Sequence, residues 1–572
     1  MSPRRILLAQ LPIPPAGPEP IVGNVPLAAG YLIQYARLFE LDREFDFQIL
    51  PPSIANYWSE AGMVEEILQR DPWMVGFSCY LWNIDRTLWI AAELKRRRPD
   101  IKIVVGGPEI TADNAWVLQS GVLDYAVIGE GEQTFTQLLQ LWQGASVDDG
   151  RLIPGLWRAS NPQWPLFRKP LAQLDCVSSP YLAGILNAAD ERLLMLETIR
   201  GCVFKCKFCY YPKSYDALYF VSEDKIVANL RHAQAAGATE VVLLDPTLNQ
   251  RRDFDDFLRL LARENPGGQF QYFGELRAEG IKPETARLLR AANFTEVEIG
   301  LQSVDPVAQS LMDRRNNLKA FERGVAAMLE AGIRVKVDLI IGLPGDTLAS
   351  VRRGFDYLAE SQLFTSMQVF NLAILPGTAF RQEAAQLGLN FQPRPPYYVL
   401  DTPTLGTADL YTLMAEAQEI FDTDWDPFPE PKLEFDEPLP IHQCLRRDLD
   451  QLTSGPLPPA AERAQALTVW YVSQDFTGQA PRMVEEIAHI LRDNPHSTLQ
   501  IILEPTANPH SLSTELIEQL LAAAYATPNY LDRYYSLNPQ GLLGSKRVLV
   551  NFAGELFSSD QWAEADQAPS GA

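Results

Sequence analysis

The stretch Glu197-Thr198-Ile199-Arg200-Gly201-Cys202-Val203-Phe204-Lys205-Cys206-Lys207-Phe208-Cys209-Tyr210 decides the reading of this chain. It places three cysteines within eight residues, spaced by three and then two. Thiolates are soft ligands that suit zinc or iron–sulfur centres. A tight loop with this spacing can wrap around a cuboidal cluster. Structural zinc takes four ligands, and no nearby Cys or His supplies a fourth. His232 is the only histidine within a hundred residues, and it sits inside a predicted helix. Three cysteines would leave one iron of a [4Fe–4S] cluster open to an exogenous ligand. The bland alternatives are buried free cysteines or an incomplete zinc knuckle. The two lysines and the aromatics of the loop, and its place directly after a strand, argue against both. Cys79, Cys176 and Cys444 lie elsewhere, and Cys79 reads as a buried small hydrophobe. A cluster of this kind in a large chain with no export signal points to a metal site in a reducing compartment.

Outward from the cysteines, residues 191–380 alternate strand and helix patterns. The strands are expected at Leu194–Thr198, Glu240–Leu244, Gln269–Phe273, Glu296–Gly300, Val335–Ile341 and Ser366–Leu372. Six βα units in succession predict a partial TIM-like barrel, with its active site at the C-terminal mouth of the strands. Residues 1–145 predict a second α/β layer. Its strands are Arg5–Gln10, Asp46–Leu50, Met74–Tyr80, Ile101–Val105 and Tyr125–Ile128. Gly106-Gly107-Pro108-Glu109 and Gly129-Glu130-Gly131-Glu132 directly follow the fourth and fifth strands. Ligands of open α/β sheets bind at that carboxyl edge.

The cysteine loop, with Phe208 just before its third Cys, resembles the radical SAM superfamily over roughly residues 190–380. The resemblance implies Cys202, Cys206 and Cys209 as iron ligands, and S-adenosylmethionine (SAM) on the open iron as the source of a 5′-deoxyadenosyl radical. It implies Phe208 beside the adenine, and Glu298 and Gln302 in the segment Glu298–Ser303 lining the ribose. Gly342, in the segment Asp338–Gly345, would lie beside the adenine. Asp245, in the segment Asp245–Asn249, would lie near the methionine end. Each of these could instead be ordinary strand-end capping.

The whole arrangement resembles the cobalamin (B12)-binding radical SAM family. The segments that carry it are Val25–Tyr31, Gly76–Asn83, Gly106–Glu109 and Gly129–Glu132. The resemblance implies a cobalamin site formed by Ser78, Gly106, Gly107, Pro108, Glu109, Gly129, Glu130, Gly131 and Glu132. One departure matters. Many such domains bind cobalt from below with a His in an Asp-x-His-x-x-Gly loop. Here that loop reads Leu11-Pro-Ile-Pro-Pro-Ala-Gly17, and the first His of the chain is His232. A histidine of this domain therefore cannot be the lower ligand. Tyr80, Trp82 and Asn83 are the candidates to cover that face. A degenerate sheet that holds no cofactor is the plain alternative.

The fold class expected is α/β: a Rossmann-like parallel five-stranded sheet, a partial (β/α)6 TIM-like barrel and a small C-terminal α/β accessory domain. The boundaries are 1–145 for the first domain, 146–190 for a proline-interrupted linker and 191–380 for the barrel. A connector, acidic and Pro-rich at 422–440, covers 381–464, and the accessory domain with a polar tail covers 465–572. The chain has 572 residues, 47% apolar and 21% charged, which excludes a mainly disordered or collagen-like protein. Its net charge of −23 argues against a nucleic-acid partner. No apolar stretch is long enough to span a membrane. The run Ile6–Leu8 is broken by Gln10 and Pro12 before it reaches signal-peptide length, so a cytoplasmic enzyme is expected.

The resemblance implies methyl transfer to an unactivated carbon of a small molecule or peptide, by way of methylcobalamin, with an external electron donor such as flavodoxin or ferredoxin. The alternatives are a radical rearrangement, cyclisation or oxidation with cobalamin as redox partner, and a non-catalytic cobalamin-binding sensor. Tyr210, Tyr211 and Lys213 flank the cysteine loop and are candidates to face substrate. No general base is assigned.

Overall fold

The structure is a computed structural model that describes residues 3–15, 17, 19–143, 152–162, 167–211, 215–427, 442–451, 456–537 and 545–562. Strands β1 (Arg4–Gln10), β2 (Phe45–Ile49), β3 (Met74–Ser78), β4 (Lys102–Gly106) and β5 (Tyr125–Val127) match the five expected in the first domain to within two residues. The sheet order is β2-β1-β3-β4-β5-β6. The sixth strand, β6 (Leu156–Arg158), corrects the expected five-stranded parallel sheet, because it pairs antiparallel with β5. Three residues between prolines give no periodic signal that a sequence reading can detect.

The chain divides into two compact units. One comprises Met1–Arg4, Val25–Phe47 and Val104–Asp426, and the other comprises Arg5–Asn24, Gln48–Ile103 and Pro427–Ala572. The first unit holds the barrel strands β7 (Leu193–Leu196), β10 (Glu240–Leu243), β11 (Gln271–Phe273), β12 (Glu275–Leu276), β13 (Glu296–Gln302), β14 (Arg334–Ile341) and β15 (Ser366–Asn371). A short antiparallel pair, β8 (Ile199–Arg200) and β9 (Tyr219–Phe220), brackets the cysteine loop. The barrel sheets run β11-β10-β7 and β12-β13-β14-β15, with Gly274 interrupting the third strand between β11 and β12.

Period-two alternation explains the two faces of each barrel strand. In β13, Val297, Ile299 and Leu301 are buried in the layer under the helices. Glu298, Gly300 and Gln302 take the opposite face, toward the barrel interior. The covering helices are amphipathic. In the helix Phe254–Glu264 the buried side chains are Phe254, Phe257, Leu258, Leu260 and Leu261, and each contributes about 1.5–3 kcal/mol by leaving water. Asp305, Asn317, Thr347 and Thr378 cap the helices that follow them through side-chain oxygens.

The helix Leu318–Glu330 approaches the backbone of Ala278 so closely that a Cβ on Gly324 would collide with the Ala278 carbonyl oxygen. Gly324→Ala is therefore expected to destabilise the barrel by about 1–3 kcal/mol. That gain of helix propensity cannot offset a backbone clash. A lowered midpoint in denaturant titration followed by circular dichroism would show it.

Part of the expected connector belongs to this unit. The helices Ala379–Leu387 and Thr407–Phe421 bring Phe380, Leu410 and Leu413 into the barrel core, and Trp425 joins them just beyond the second helix. A short hairpin, β16 (Asn390–Phe391) and β17 (Val399–Asp401), lies between them. Most of the acidic Pro-rich segment expected at 422–440 lies outside the described residues.

The second unit contains β1 and β3, parallel to each other. It also holds a C-terminal sheet of β18 (His442–Asp448), β19 (Ala466–Ser473), β20 (Thr498–Pro505), β21 (Lys546–Phe552) and β22 (Glu555–Ser558), paired in that order. The first four are parallel and β22 is antiparallel. Strand β18 escapes sequence detection because His-Gln-Cys-Leu-Arg-Arg-Asp lacks apolar alternation. The last ten residues, 563–572, lie outside the described set. Among the described residues no helix is long and apolar enough to cross a membrane.

Candidate functional site

The cysteine loop leaves β8 through Gly201. Its φ is +98°, and a Cβ there would collide with the Ala217 carbonyl oxygen, so only glycine fits. The loop is tied down at both ends. Gln250 accepts from Val203 N at 3.0 Å and donates to Gly201 O at 3.1 Å. Lys207 N donates to Met312 O at 2.9 Å, and Phe380 N donates to Lys207 O at 3.1 Å. Cys209 N donates to Cys206 O at 3.1 Å, which closes a turn within the loop. Lys207 is also paired with Glu383 at 2.7 Å.

The three cysteines open onto one cavity of about 610 Å³, counted to its solvent mouth. Its wall carries Phe204, Phe208 and Thr247, then Glu275 and Arg277 from the third strand, Glu298, Gly300 and Gln302 from β13, Asp338 from β14, and Arg314. Strands separated by dozens of residues deliver these groups because parallel βα units end at the same mouth.

Three buried polar atoms on this wall have no partner: Gln302 Oε1, Arg314 Nε and Asp338 Oδ1. A buried polar atom without a partner costs about 1–3 kcal/mol, so the wall is built to receive a polar ligand. Arg314 Nη1 lies 3.8 Å from Cys206 Sγ, and Nη2 donates to Gly300 O. Lys336 pairs with Glu298 at 3.2 Å. Burial, then the Glu298 charge, pushes the Glu275 carboxyl up to about 7. The same two causes raise Asp338. Burial pushes the Cys209 thiol up to about 12 and raises Cys202.

The structure places the sequence-selected residues unequally. Cys202, Cys206, Cys209, Phe208, Glu298 and Gln302 all line the cavity. Asp245 does not. It is 1% exposed and accepts from Thr198 N at 2.7 Å, Ile199 N at 2.8 Å and the Thr198 hydroxyl. It holds the strand that feeds the cysteine loop. Gly342 is also off the cavity wall. A Cβ there would meet Leu410, Leu372 and Val399, so it serves packing. The reading missed Glu275, Arg277, Arg314 and Asp338. Their one signal was position at a barrel strand end, and Arg314 lacked even that. Tyr211 is exposed at 36%, and Lys213 lies outside the described residues.

The loops after β4 and β5 meet the barrel within the first unit. Glu109 is buried and accepts from the Tyr397 hydroxyl at 2.7 Å and from Asn114 Nδ2 at 3.1 Å. Asp113 accepts from Gly377 N at 2.9 Å. A Cβ on Gly377 would stand 3.1 Å from Thr111 and 3.2 Å from Tyr210, the residue after Cys209. Arg200 spends its guanidinium on three carboxylates: Glu130 at 3.0 Å, Glu132 at 2.8 Å and Glu197 at 2.9 Å. Glu109, Glu130 and Glu132, read from sequence as cofactor contacts, are thus committed to protein partners. Gly106, Gly107, Pro108 and Gly129 remain at the edge. Gly107 and Pro108 are exposed, and nothing lies within 4 Å of where a Gly129 Cβ would be. Gly131 is not open, since a Cβ there would press on Leu32 at 2.9 Å.

In the second unit, Ser78 ends β3 and the loop Cys79–Asn83 follows. Asn83 is fully buried. Its amide donates to Leu11 O at 2.8 Å and Ser78 O at 3.1 Å, and its oxygen accepts from Tyr80 N at 2.8 Å. It shapes the loop and has no amide group left to cover a cofactor. Tyr80 and Trp82 stack at 4.6 Å with planes 4° apart, both half-buried.

Comparison with known proteins agrees with this geometry. The B12 binding domain model matches residues 27–139, and the Radical SAM superfamily model matches residues 196–358. The cobalamin-dependent radical SAM methyltransferase TokK of Streptomyces tokunonensis is 26% identical over 401 residues, covering 65% of this chain and 57% of its own length. The 2-(S-pantetheinyl)-carbapenam-3-carboxylate methyltransferase of Streptantibioticus cattleyicolor is 25% identical over 408 residues, covering 67% and 58%. The chain therefore spans less than two thirds of the length of these relatives. Two solved structures share the fold. The cobalamin-dependent SAM radical enzyme OxsB has a TM-score of 0.58 at 14% identity, covering 73% of this chain and 67% of its own. The methyltransferase TsrM of Kitasatospora setae has a TM-score of 0.52 at 19% identity, covering 68% and 77%. The chain therefore carries a stretch that matches a B12 binding domain, followed by one that matches the Radical SAM superfamily, and the three cysteines of the second open onto the barrel mouth.

Proposed function

We propose that the chain is a cobalamin-dependent radical SAM methyltransferase that alkylates an unactivated carbon of a small-molecule acceptor. The observation that carries this reading is the barrel-mouth cavity, where three thiols share one wall with unpartnered Gln302 Oε1, Arg314 Nε and Asp338 Oδ1. The donor set fits a [4Fe–4S] cluster with one open iron, held by Cys202, Cys206 and Cys209. It also fits SAM in charge. SAM carries a sulfonium, an ammonium and a carboxylate, and the wall offers Glu275, Glu298 and Asp338 against Arg314. Arg314 would take the carboxylate, Glu275 the ammonium, and Gln302 with Asp338 the ribose hydroxyls. Phe208 supplies an apolar contact. When bound, these groups supply a hydrogen-atom abstractor and, with cobalamin at the edge of Gly106, Gly107 and Gly129, a methyl donor. Both named relatives above are methyltransferases, which supports this outcome over rearrangement. The reducing electron would come from an external flavodoxin or ferredoxin.

The test is anaerobic reconstitution with iron, sulfide, hydroxocobalamin and SAM under dithionite. Formation of 5′-deoxyadenosine together with S-adenosylhomocysteine is expected. Deoxyadenosine alone would favour rearrangement or oxidation, and neither product would mean the reading is wrong. The Co(II) EPR spectrum should lack nitrogen splitting from a protein histidine, because residues 1–231 contain none.

Gly106→Val should weaken cobalamin retention by about 10-fold or more, by analogy with other supporting contacts. Its Cβ would meet Val127 only at an ordinary 3.6 Å, so the fold should tolerate the change. Gly107 makes a poorer probe, since its φ of +110° would strain any side chain. Equilibrium dialysis with hydroxocobalamin measures the difference.

A further inference from the structure

The turn after β15, residues 373–378, lines no part of the barrel-mouth cavity. With the start of the helix that follows, it is nevertheless bonded to two loops of the same compact unit. One is the cysteine loop. Phe380 N donates to Lys207 O at 3.1 Å, and Glu383 pairs with Lys207 at 2.7 Å. The other is the loop that leaves β4 through the exposed Gly107 and Pro108. Gly377 N donates to both carboxylate oxygens of Asp113, at 2.9 and 3.0 Å, and the Thr111 hydroxyl donates to Asp113 Oδ1 at 2.7 Å. Both loops close in on Gly377. Its φ is +75°, and a Cβ there would crowd Thr111 on one side and Tyr210 on the other.

A second tie lies deeper. Tyr397, two residues before β17, is fully buried. Its hydroxyl donates to Glu109 Oε2 at 2.7 Å and accepts from Trp116 Nε1 at 3.3 Å. Asn114 Nδ2 donates to the same Glu109 oxygen at 3.1 Å. The backbone of Tyr397 joins the turn, since Ile374 N donates to Tyr397 O at 2.9 Å. Tyr397 has φ +60°, a left-handed conformation that a bulky side chain rarely adopts. Such a conformation persists where the surroundings over-determine it, and it gathers at functional sites. Glu109 is only 2% exposed, so its carboxylate depends on these donors. The loop from Gly107 to Asn114 is thus held twice, by Glu109 inside the protein and by Asp113 at its surface.

The physical consequence concerns two reactive centres. Groups that act on one carbon must be held in a near-attack arrangement, and small misplacements are costly. The Gly106–Pro108 edge and the cysteine loop lie about a hundred residues apart in sequence. The turn 373–378 ties one to the other.

We propose that Asp113, Glu109 and Tyr397 are positioning residues that clamp the Gly106–Pro108 edge to the cysteine loop and so set the separation between cobalamin and the iron–sulfur cluster. The inference rests on the cofactor reading above. The three residues act through the two loops.

The experiment uses the full-length protein, reconstituted with iron, sulfide and hydroxocobalamin and reduced until Co(II) and the cluster are both paramagnetic. In the wild type the cluster should speed the spin relaxation of Co(II) through dipolar coupling. Asp113→Ala and Tyr397→Phe should each shift that relaxation rate, and each should weaken cobalamin retention in equilibrium dialysis by about 10-fold. Asp113→Asn keeps an oxygen that accepts from Gly377 N and should restore the wild-type rate. Glu109→Gln should reproduce Tyr397→Phe, and the double variant should add nothing further. Each centre alone should keep its wild-type EPR spectrum: Co(II) in a Cys206→Ala background, and the cluster in protein without cobalamin. Asp113 is exposed, so its variants keep the test decisive should Tyr397→Phe fold poorly. Weaker retention with unchanged relaxation would mark a merely structural contact and overturn the proposal. So would a wild-type Co(II) relaxation that the cluster does not affect. If Asp113→Ala and Tyr397→Phe match the wild type in both readouts, the positioning role is refuted and the cobalamin reading stands. If the wild-type protein retains no cobalamin, both fall together.

Discussion

Cys206→Ala is expected to yield a folded protein that holds no [4Fe–4S] cluster and forms no 5′-deoxyadenosine above background. The loss should be chemical and not structural. The sulfur itself meets Arg314 Nη1 at a long 3.8 Å, and the hydrogen bonds that shape the loop here run through backbone atoms: Cys209 N to Cys206 O, and Lys207 N to Met312 O. Removing one sulfur leaves them intact, and alanine fits any backbone that cysteine adopts. Two remaining thiolates cannot hold three of a cluster's irons. Iron and sulfide analysis, the broad visible absorbance and the reduced-state EPR signal should vanish together. Circular dichroism should stay at wild type. Purified wild-type protein with stoichiometric zinc and no reconstitutable iron would sink the cluster assignment.

Arg200→Met should be the most destabilising single change in the first unit. The guanidinium of Arg200 is the cation shared by Glu130, Glu132 and Glu197, and its side chain is 11% exposed. Deleting it leaves three carboxylates facing one another in a poorly solvated space, at a cost of about 3–5 kcal/mol. The pH dependence follows from Glu197. Burial already pushes its carboxyl up to about 7, while Arg200 pulls it down. Without Arg200 the folded-state pKa rises further. A folded pKa above the unfolded value gives stability that is fully present below about 4.5 and lost as the pH climbs through the folded value. The deficit of Arg200→Met should therefore be small near pH 5 and large at pH 8. Glu132→Gln added to Arg200→Met should recover part of it. Urea titrations at the two pH values measure both effects. An equal deficit at pH 5 and pH 8 would mean that the carboxylates do not feel Arg200.

The same cluster shows partners that the sequence could not reveal. Glu130 and Glu132 sit in a glycine-rich loop at a sheet edge, which reads as a ligand loop. Only the three-dimensional arrangement shows that Arg200, about seventy residues away, claims both. The partners of Asp245 were hidden in the same way. A polar residue at a strand end looks available, but Thr198 and Ile199 consume its oxygens.

The sequence by itself determined the cysteine loop, the six barrel strands and the five parallel-sheet strands. The reason is that these signals are local. Ligand spacing within eight residues, apolar alternation along a strand and glycines after it are all written in consecutive residues. The absence of a histidine before residue 232 is likewise a plain count. Tertiary structure alone decided which side chains share the cavity, since Glu275, Gln302 and Asp338 meet only through the parallel register of β12, β13 and β14, and Arg314 reaches them from a loop. It alone also showed that β6 and β18 exist, because three residues between prolines and a charged heptapeptide become strands only when a neighbouring edge supplies their hydrogen bonds. The ion pair of Arg533 with Asp85 was hidden for the same physical reason: the two residues lie far apart in sequence, and long-range contacts leave no periodic trace in it.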